Sequence, residues 1–186
     1  MIWFFSDSHL QHDNIRKHCN RPFNSVEEMN DTIINNFNSV VDEKDTVYFI
    51  GDFGFFYKNN GGGSVRDEIY SWIRKFKQVE NWYWILGNHD KKYSSTFDAN
   101  ICYDILDIMI ENQPVTLCHY PMLTFNKSHF NAWQLYGHHH SDISNIATGK
   151  KMNVSVDVNN FFPVSWEQVK EYMKNRNDNW DLIKKE

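Results

Sequence analysis

Apolar and polar positions alternate along the first half of the chain in a way that predicts strands followed by helices. Residues 2–5 are apolar and end at a polar stretch, which predicts a short buried strand. Ser25 with Glu28 three positions later fits a capping box, and apolar residues at helical spacing predict a helix from Val26 to about Val41. Residues 46–50 are β-branched and aromatic, which predicts a second strand.

The second half continues the same pattern. Apolar side chains at helical spacing between 69 and 76 mark a second helix, and Ser165 with Gln168 opens a last helix through about Asn175. Residues 54–64 contain a glycine run but no Gly-Lys-Ser/Thr sequence after it, so we expect a loop rather than a phosphate cradle. Further strands are predicted at 82–86, 101–110, 114–118, 133–136 and, from strict apolar alternation, 152–158.

Strands interleaved with helices indicate an α/β layered fold. The 186 residues suit a single domain, residues 1–186, and 41% of them are apolar, enough for a sizeable core. The polar clusters of the sequence follow directly after predicted strands. Ligands bind at this strand-end rim in open α/β sheets, so clusters that are distant in sequence are expected to converge there.

Composition narrows the functional classes. The formal charge is −5, and no basic stripe is visible, so nonspecific nucleic-acid binding is not expected. Bound divalent ions would reverse the sign locally, so a nucleotide substrate is not excluded. Three cysteines without paired spacing favour a reducing compartment. Residues 1–5 are too few for a signal sequence or a membrane helix, which predicts a soluble, cytoplasmic protein without membrane association.

The chemistry-bearing residues are the polar side chains at the strand ends. Carboxylates and imidazoles together suit Mn, Fe or Zn, and the lack of a cysteine among them argues against a structural zinc site. In an extended backbone Asp7 and His9 point to the same side and can reach one ion. The same alternation pairs His138 with His140 and turns His139 away. The full set comprises Asp7, His9, Asp52, Asn88, His89, His119 and the three histidines 138–140.

Each fragment alone is a weak signal, because solvated turns, helix caps and core histidines contain the same residues. Five fragments in one order, each after a strand, are far more specific. Together they resemble the signature blocks of the calcineurin-like metallophosphoesterases over residues 7–140. Flanking sequences resemble a branch of small, single-domain phosphoesterases of bacteria and phages. The blocks are Asp7-x-His9, Gly51-Asp52, Gly87-Asn88-His89-Asp90, His119 and Gly137-His138-x-His140.

The resemblance implies a four-layer α/β/β/α sandwich of two mixed sheets flanked by helices, with two divalent metal ions. Asp52 would bridge the ions, and a hydroxide shared by both would attack the phosphorus. His89 would face the substrate phosphate as an acid or electrostatic stabiliser. The first ion would be held by Asp7, His9, Asp52 and His140, and the second by Asp52, Asn88, His119 and His138.

Other residues near these blocks have two interpretations each. His12 and Asn14 follow the first ligand pair and could contact substrate, or they could stabilise a turn. Arg21 could bind phosphate through its guanidinium or form a structural salt bridge. Asp90 is expected as an outer-shell partner or helix cap. Asp157 could orient a ligand histidine or be an ordinary strand-end residue.

The leading functional hypothesis is a metal-dependent hydrolase of a phosphodiester or phosphomonoester. The metals are expected to include Mn in vitro, with Fe, Zn or Ni as alternatives. A nuclease or cyclic-nucleotide phosphodiesterase is the alternative among enzymes, so the substrate could be a nucleotide or a nucleic-acid end. A non-catalytic metal-binding scaffold of the same fold is the alternative of another class. The sequence does not predict the oligomeric state.

Overall fold

The structure is a computed structural model that describes residues 1–56, 64–96 and 101–183. Most of the loop predicted at 54–64 lies outside these residues. The strands are β1 Ile2–Phe5, β2 Thr46–Ile50, β3 Asn81–Ile85, β4 Cys102–Tyr103, β5 Ile105–Ile110, β6 Gln113–Cys118, β7 Trp133–Tyr136, β8 Lys151–Asn153 and β9 Val164–Ser165. The α-helices are α1 Asp13–His18, α2 Val26–Val40, α3 Val65–Ile73 and α4 Trp166–Lys174.

The strands form two mixed sheets. The first has the order β4-β3-β2-β1-β9, in which β1 to β4 are parallel and β9 is antiparallel to β1. The second has the order β5-β6-β7-β8, in which only β5 is antiparallel. The predicted α/β fold of two mixed sheets flanked by helices is confirmed. Because the central strands of each sheet are parallel, their carboxyl ends share one rim.

Each sheet has an apolar layer of its own. The first core packs α2 and α3 against one face of the first sheet through aromatic contacts, such as Phe5 with Phe37 at 5.2 Å between ring centroids. The second core joins the other face of the first sheet to the second sheet and to α4. It contains Phe4, Ile50, Leu117 and Val169, which are fully buried. The burial of both faces of the first sheet explains why β1 and β2 are nearly continuous apolar runs.

The predicted strand at 152–158 is wrong in its second half. β8 ends at Asn153, and residues 156–158 form a 3₁₀ turn. Polar side chains capture the backbone there: the Ser155 amide donates to Asn153 Oδ1, and Asn159 Nδ2 donates to the carbonyls of Asn153 and Ser155. Such local hydrogen bonds compete with a sheet ladder, and apolar alternation does not reveal them.

Two further differences concern short elements. The strand predicted at 101–110 is divided, because β4 belongs to the first sheet and β5 to the second. Helix α1 was missed. It has six residues, buries only Ile15, and its N-cap His12 makes no side-chain capping bond, so no periodic signal marks it. Among the described residues, no helix has both the length and the apolar character needed to cross a membrane.

Candidate metal centre

The strand ends of both sheets place the predicted site residues at one rim. Asp7 lies two residues beyond β1, Asp52 two beyond β2, His119 directly after β6 and His138 two beyond β7. The rims of the two sheets adjoin because the Ser6 amide donates to the Val154 carbonyl. Residues more than 130 positions apart in sequence therefore meet.

The first ligand group consists of Asp7, His9 and His140, whose potential ligand atoms all lie within 4.8 Å of one another. Nε2 of His9 is 4.0 Å from Asp7 Oδ1, and Nε2 of His140 is 3.9 Å from the same oxygen. Asp7 and His9 are buried, whereas His140 is partly exposed. The three side chains thus surround one small space at the edge of the protein surface.

The second ligand group consists of Asp52, His119 and His138, again within 4.8 Å of one another. Nε2 of His119 is 3.4 Å from Asp52 Oδ2. The same oxygen is 3.6 Å from Nε2 of His9, so it faces both groups. The other oxygen, Oδ1, accepts the His89 amide at 2.9 Å, which holds the carboxylate in this orientation.

The residues of both groups fit divalent metal ions. Among the described residues, neither ring nitrogen of the buried His9 has a hydrogen-bond partner, nor does Nε2 of the buried His119. Buried polar atoms are normally paired, because leaving them unsatisfied costs about 1–3 kcal/mol each. An ion in each group would satisfy Nε2 of each ring. Imidazole and carboxylate donors without thiolates suit Mn, Fe, Zn or Ni.

Outer hydrogen bonds hold Nδ1 of two candidate ligand histidines and leave Nε2 facing the other members of each group. Nδ1 of His140 lies 2.7 Å from Asp157 Oδ2, and Nδ1 of His119 lies 2.9 Å from the Ile50 carbonyl oxygen. With the proton on Nδ1 donated to these oxygens, Nε2 of each ring is left for an ion. Of the two interpretations of Asp157, this contact agrees with the one in which it orients a candidate ligand histidine.

The two groups differ in protonation. Burial and the nearby Arg21 charge lower the pKa of His9 well below its ordinary value, so its imidazole is neutral. Burial alone would also lower the pKa of His119, but Asp52 and Asp7 raise it to about 9. Without metal, His119 is therefore protonated at neutral pH, and an ion that binds there must displace the proton.

The backbone at the ligands is left-handed. Asp7, His9, Asp52 and His138 have φ values of 58°, 46°, 61° and 69°. The extended Asp7-Ser8-His9 backbone assumed from the sequence is thus wrong, although both side chains do reach the same group. Positive φ is uncommon outside glycine, and such strain concentrates at functional sites.

Arg21 stabilises this left-handed segment from the interior. Its side chain is fully buried, and its guanidinium donates to the carbonyls of Asp7 at 2.7 Å and Ser8 at 3.1 Å. The same guanidinium makes two 2.8 Å hydrogen bonds to the Asp157 carboxylate. This placement agrees with the structural interpretation of Arg21 and leaves no exposed guanidinium for a substrate.

The glycines of the motifs allow close approach between strand ends. A Cβ at Gly87 would overlap the Asp52 carboxylate, and a Cβ at Gly137 would overlap Asp7 Oδ2 and Ser6 Oγ. Any larger side chain would push the ligand carboxylates out of place. The spacing of glycine before ligand in these motifs therefore has a steric reason.

Asp90 holds the loops after β2 and β3 together. Its buried carboxylate accepts the amides of Asp52 at 2.6 Å, Phe53 at 2.9 Å and Gly87 at 2.9 Å. Burial and the Asp52 charge raise the pKa of Asp90 to about 6, against the effect of these amides. Asp90 thus lies behind the candidate ligand Asp52, which agrees with the first of its two predicted roles, an outer-shell partner rather than a helix cap.

His89 lies on the open side of Asp52, with Nε2 3.9 Å from Asp52 Oδ2 and a side chain 35% exposed. It packs edge-on to Phe55, whose ring also stacks on His12 at 4.7 Å between centroids. Asn14 is exposed on α1, and Asn88 is exposed at the rim. His12 is therefore near the candidate centre, whereas no described contact links Asn14 to it.

Sequence reasoning missed two aromatic residues at the rim. The Tyr120 ring lies 4.8 Å from that of His138, and Phe55 separates His12 from Lys92, whose Nζ is 3.8 Å from the ring centroid. Tyr120 directly follows His119, which could have served as a signal. Phe55 had none, because its position depends on a loop path that no local pattern predicts.

Comparisons with known proteins agree with this geometry. A family model described as calcineurin-like phosphoesterase matches residues 1–185. An uncharacterised protein of Methanocaldococcus jannaschii is 37% identical over 175 residues, which cover 90% of this chain and 88% of that protein.

A solved structure shares the fold. The crystal structure of a protein of unknown function from Aquifex aeolicus superimposes with a TM-score of 0.69 at 22% identity. The match covers 92% of this chain and 98% of that one. At this identity the likeness shows the fold alone, whereas the family model covers nearly the whole sequence. The chain therefore belongs to the calcineurin-like phosphoesterase family.

Proposed function

We propose that the protein is a dinuclear metal-dependent phosphoesterase that hydrolyses a phosphodiester or a phosphomonoester. The observation that carries this proposal is the position of Asp52 Oδ2. It lies 3.6 Å from Nε2 of His9 in one ligand group and 3.4 Å from Nε2 of His119 in the other. A carboxylate between two such groups is what a two-ion site requires.

The assignment of ligands follows the two groups. Asp52 would hold both ions. Asn88, which is exposed at the rim, would add a neutral amide oxygen, and the centre would then be more positive towards phosphate than with a further carboxylate. The first ion is assigned to Asp7, His9, Asp52 and His140, and the second to Asp52, Asn88, His119 and His138.

When bound, two divalent ions supply Lewis-acid polarisation of the phosphoryl oxygens and a nucleophile derived from water at neutral pH. The chain's own contribution is positioning and proton transfer. His89 is held through its amide by Asp52 Oδ1, and its ring is partly exposed on the substrate side. We assign it the donation of a proton, or of a hydrogen bond, to the leaving oxygen.

The openness of the rim bears on the kind of ester. Asn88 is exposed, and His138 and His140 are partly exposed, so an ester with groups on both sides of phosphorus can reach the centre. This favours a diester or the end of a larger molecule over a small monoester. A phosphomonoesterase remains the second candidate, and the two differ in their preferred chromogenic substrate.

The test combines metal content with turnover. Metal-stripped protein is reloaded with Mn²⁺, and hydrolysis of bis-p-nitrophenyl phosphate and p-nitrophenyl phosphate is measured beside the bound metal. We expect two ions per chain and Mn²⁺-dependent turnover. Asp52→Asn should lose both ions and turnover, whereas the matched Asp107→Asn, on an exposed position of β5, should keep both.

The outcomes separate the alternatives. Two bound ions without turnover of any ester with Mn²⁺, Ni²⁺, Zn²⁺ or Fe²⁺ would replace the hydrolase with a metal-binding scaffold. A single ion, or ions retained by Asp52→Asn, would contradict the bridging assignment.

A further inference from the structure

An apolar groove beside the metal centre has no role in the chemistry described above. It has a volume of about 210 Å³ and runs between two loops, residues 121–123 after β6 and residues 143–147 after β7. His139 lies at the end nearest the predicted ligands, since its ring centroid is 5.4 Å from that of His138. The groove therefore adjoins the candidate centre through this pair of rings. Its lining is Pro121, Met122, Leu123, His139, Ile143, Ile146, Ala147 and Lys151.

The residues at the two edges of the groove are apolar and unusually exposed. Leu123 is 72% exposed and Ile146 76%, although they belong to opposite walls of the same groove. Contiguous exposed apolar surface marks binding sites more often than isolated apolar residues do. The volume is below the roughly 300–1,000 Å³ that encloses a whole drug-sized ligand, so the groove suits one ring system of a larger molecule.

The wall that contains residues 121–123 is held rigidly by side-chain hydrogen bonds. The buried Gln134 accepts the Met122 amide at 2.9 Å and donates to the Tyr120 carbonyl at 2.9 Å. Trp180 Nε1 donates to the Leu123 carbonyl at 3.1 Å. This wall is therefore preformed, which lowers the entropic cost of binding.

The wall that contains residues 143–147 is held by Arg176. Its guanidinium donates to the carbonyls of Ser144 at 3.0 Å, Ala147 at 2.6 Å and Gly149 at 3.1 Å. A single cation thus fixes three points of one loop. Because both walls are anchored, the groove exists before any ligand enters.

The polar group in the groove is an ammonium. Lys151 is 5% exposed, and its Nζ makes one long hydrogen bond, 3.5 Å, to the Leu123 carbonyl. Among the described residues, no carboxylate lies within ion-pair distance of it. Burial lowers the pKa of Lys151, while the Asp181 carboxylate farther away opposes this. An ammonium has three donors, so Lys151 retains capacity for a ligand acceptor.

We propose that this groove binds the nucleobase of a nucleotide substrate, with preference for a base that bears a carbonyl oxygen. The proposal rests on the proposed function, since the ester phosphate would lie at the metal centre beyond His139. The apolar walls would cover the base faces, and Lys151 would donate to the carbonyl. An alkyl chain has no acceptor for the ammonium. The carbonyl oxygen of a nucleobase supplies one, and the flat faces of the base match the apolar walls.

The test measures binding rather than turnover. The probes are phosphonate analogues of UMP, AMP and ribose 5-phosphate, in which a carbon replaces the ester oxygen and prevents hydrolysis. Dissociation constants are measured by calorimetry on the Mn²⁺-loaded protein. We expect the uridine analogue to bind about tenfold more tightly than the ribose analogue, and the adenosine analogue to bind between them.

Two variants separate the polar and apolar contributions. Lys151→Met should remove the preference for uridine over adenosine, whereas Ile146→Ser should weaken both nucleotide analogues to nearly the ribose level. The control Ile105→Ser, 49% exposed on β5 and absent from the groove lining, should change neither. Binding of the ribose analogue should stay unchanged in all three, because its phosphonate binds at the metal centre.

Equal affinity for all three analogues, or a uridine preference that survives Lys151→Met and Ile146→Ser, would overturn the proposal, as would no binding. A uridine preference without hydrolysis of any ester would support the nucleobase site and overturn the hydrolase. Hydrolysis without a uridine preference would support the hydrolase and overturn the nucleobase site. Competition by a short oligouridylate distinguishes the source of the base. If the oligouridylate competes more strongly than UMP, the base belongs to a nucleic-acid end. If the two compete equally, the base belongs to a free nucleotide.

Discussion

The two groups of the candidate metal centre are held by different means. His140, in the first group, is oriented by Asp157, which in turn pairs with the buried Arg21. In the second group His119 is oriented by the Ile50 carbonyl, two residues before Asp52 in the chain. One group thus depends on a side-chain network that spans the sequence, and the other on a backbone that the sheet already fixes.

The difference has a consequence for metal binding. The charge pair behind His140 can be removed by substitution, whereas the backbone carbonyl behind His119 cannot. Conversely, His119 carries a proton at neutral pH in the metal-free protein, and His9 does not. The first group is therefore sensitive to mutation of its support, and the second to pH.

The largest effect is expected from a residue that lies outside both groups. His89→Gln should lower kcat by about 10²–10⁴-fold, because it removes the proton donor without removing a ligand. Turnover and metal content are measured together, with the exposed His18→Gln as the control. Loss of an ion in His89→Gln would instead make His89 a ligand, which its position allows because His89, His9 and Asp52 offer ligand atoms within 4.8 Å of one another.

Arg21→Met should destabilise the metal-free protein by about 3–5 kcal/mol, because it leaves the Asp157 carboxylate buried without its partner. The double variant Arg21→Met/Asp157→Asn should recover part of this loss. Urea unfolding measures the free energy, and Arg66→Met, at an exposed position of α3, serves as the control. If Arg21→Met had the same free energy of unfolding as the control variant, the buried network would not support the first group.

Asp157→Asn should weaken the affinity for one ion by about 10–100-fold and leave the affinity for the other nearly unchanged. Among the candidate ligands, only His140 loses the carboxylate that orients its ring. Competition with a fluorescent chelator resolves the two affinities, with Asp107→Asn as the matched control. An equal loss of affinity for both ions would show that the two groups do not have separate supports.

The smallest effect is the pH dependence of the second ion. The pKa of His119 is raised to about 9, so below that pH an ion must displace its proton. Affinity for one ion should therefore rise with pH, by up to about tenfold between pH 7 and 8. The ion at His9 should respond less, because that imidazole is already neutral. Calorimetry in buffers of different ionisation enthalpy counts the released protons; the same count for both ions would contradict this.

The strands that carry the site were predictable, because buried parallel strands are continuous apolar runs. Residues 2–5 and 46–50 match β1 and β2 as predicted. The capping signals at Ser25 and Ser165 also placed the starts of α2 and α4 correctly, because they are local. The box is complete only at α4, since Glu28 accepts the Asn24 amide and not that of Ser25. The 3₁₀ turn at 156–158 was not predictable, because it depends on side-chain hydrogen bonds that the apolar pattern does not reveal.

The candidate ligands could be named from the sequence, since each follows a strand end and the motif order is specific. Their backbone conformation could not. The left-handed segment that begins at Asp7 is stabilised by Arg21, whose guanidinium is itself held by Asp157, 136 positions away in the sequence. The sequence also left open whether Arg21 is buried or exposed, and the fold shows that it is buried.

By itself, the sequence determined the order of strands and helices, the candidate metal ligands and the family resemblance, because these depend on local spacing and residue type. Only the tertiary structure decided which ligands face one another, what supports each histidine and where an apolar groove meets the rim. These features arise from packing between distant segments. Loops 121–123 and 143–147, for example, become walls of one groove only because Gln134, Trp180 and Arg176 hold them in place.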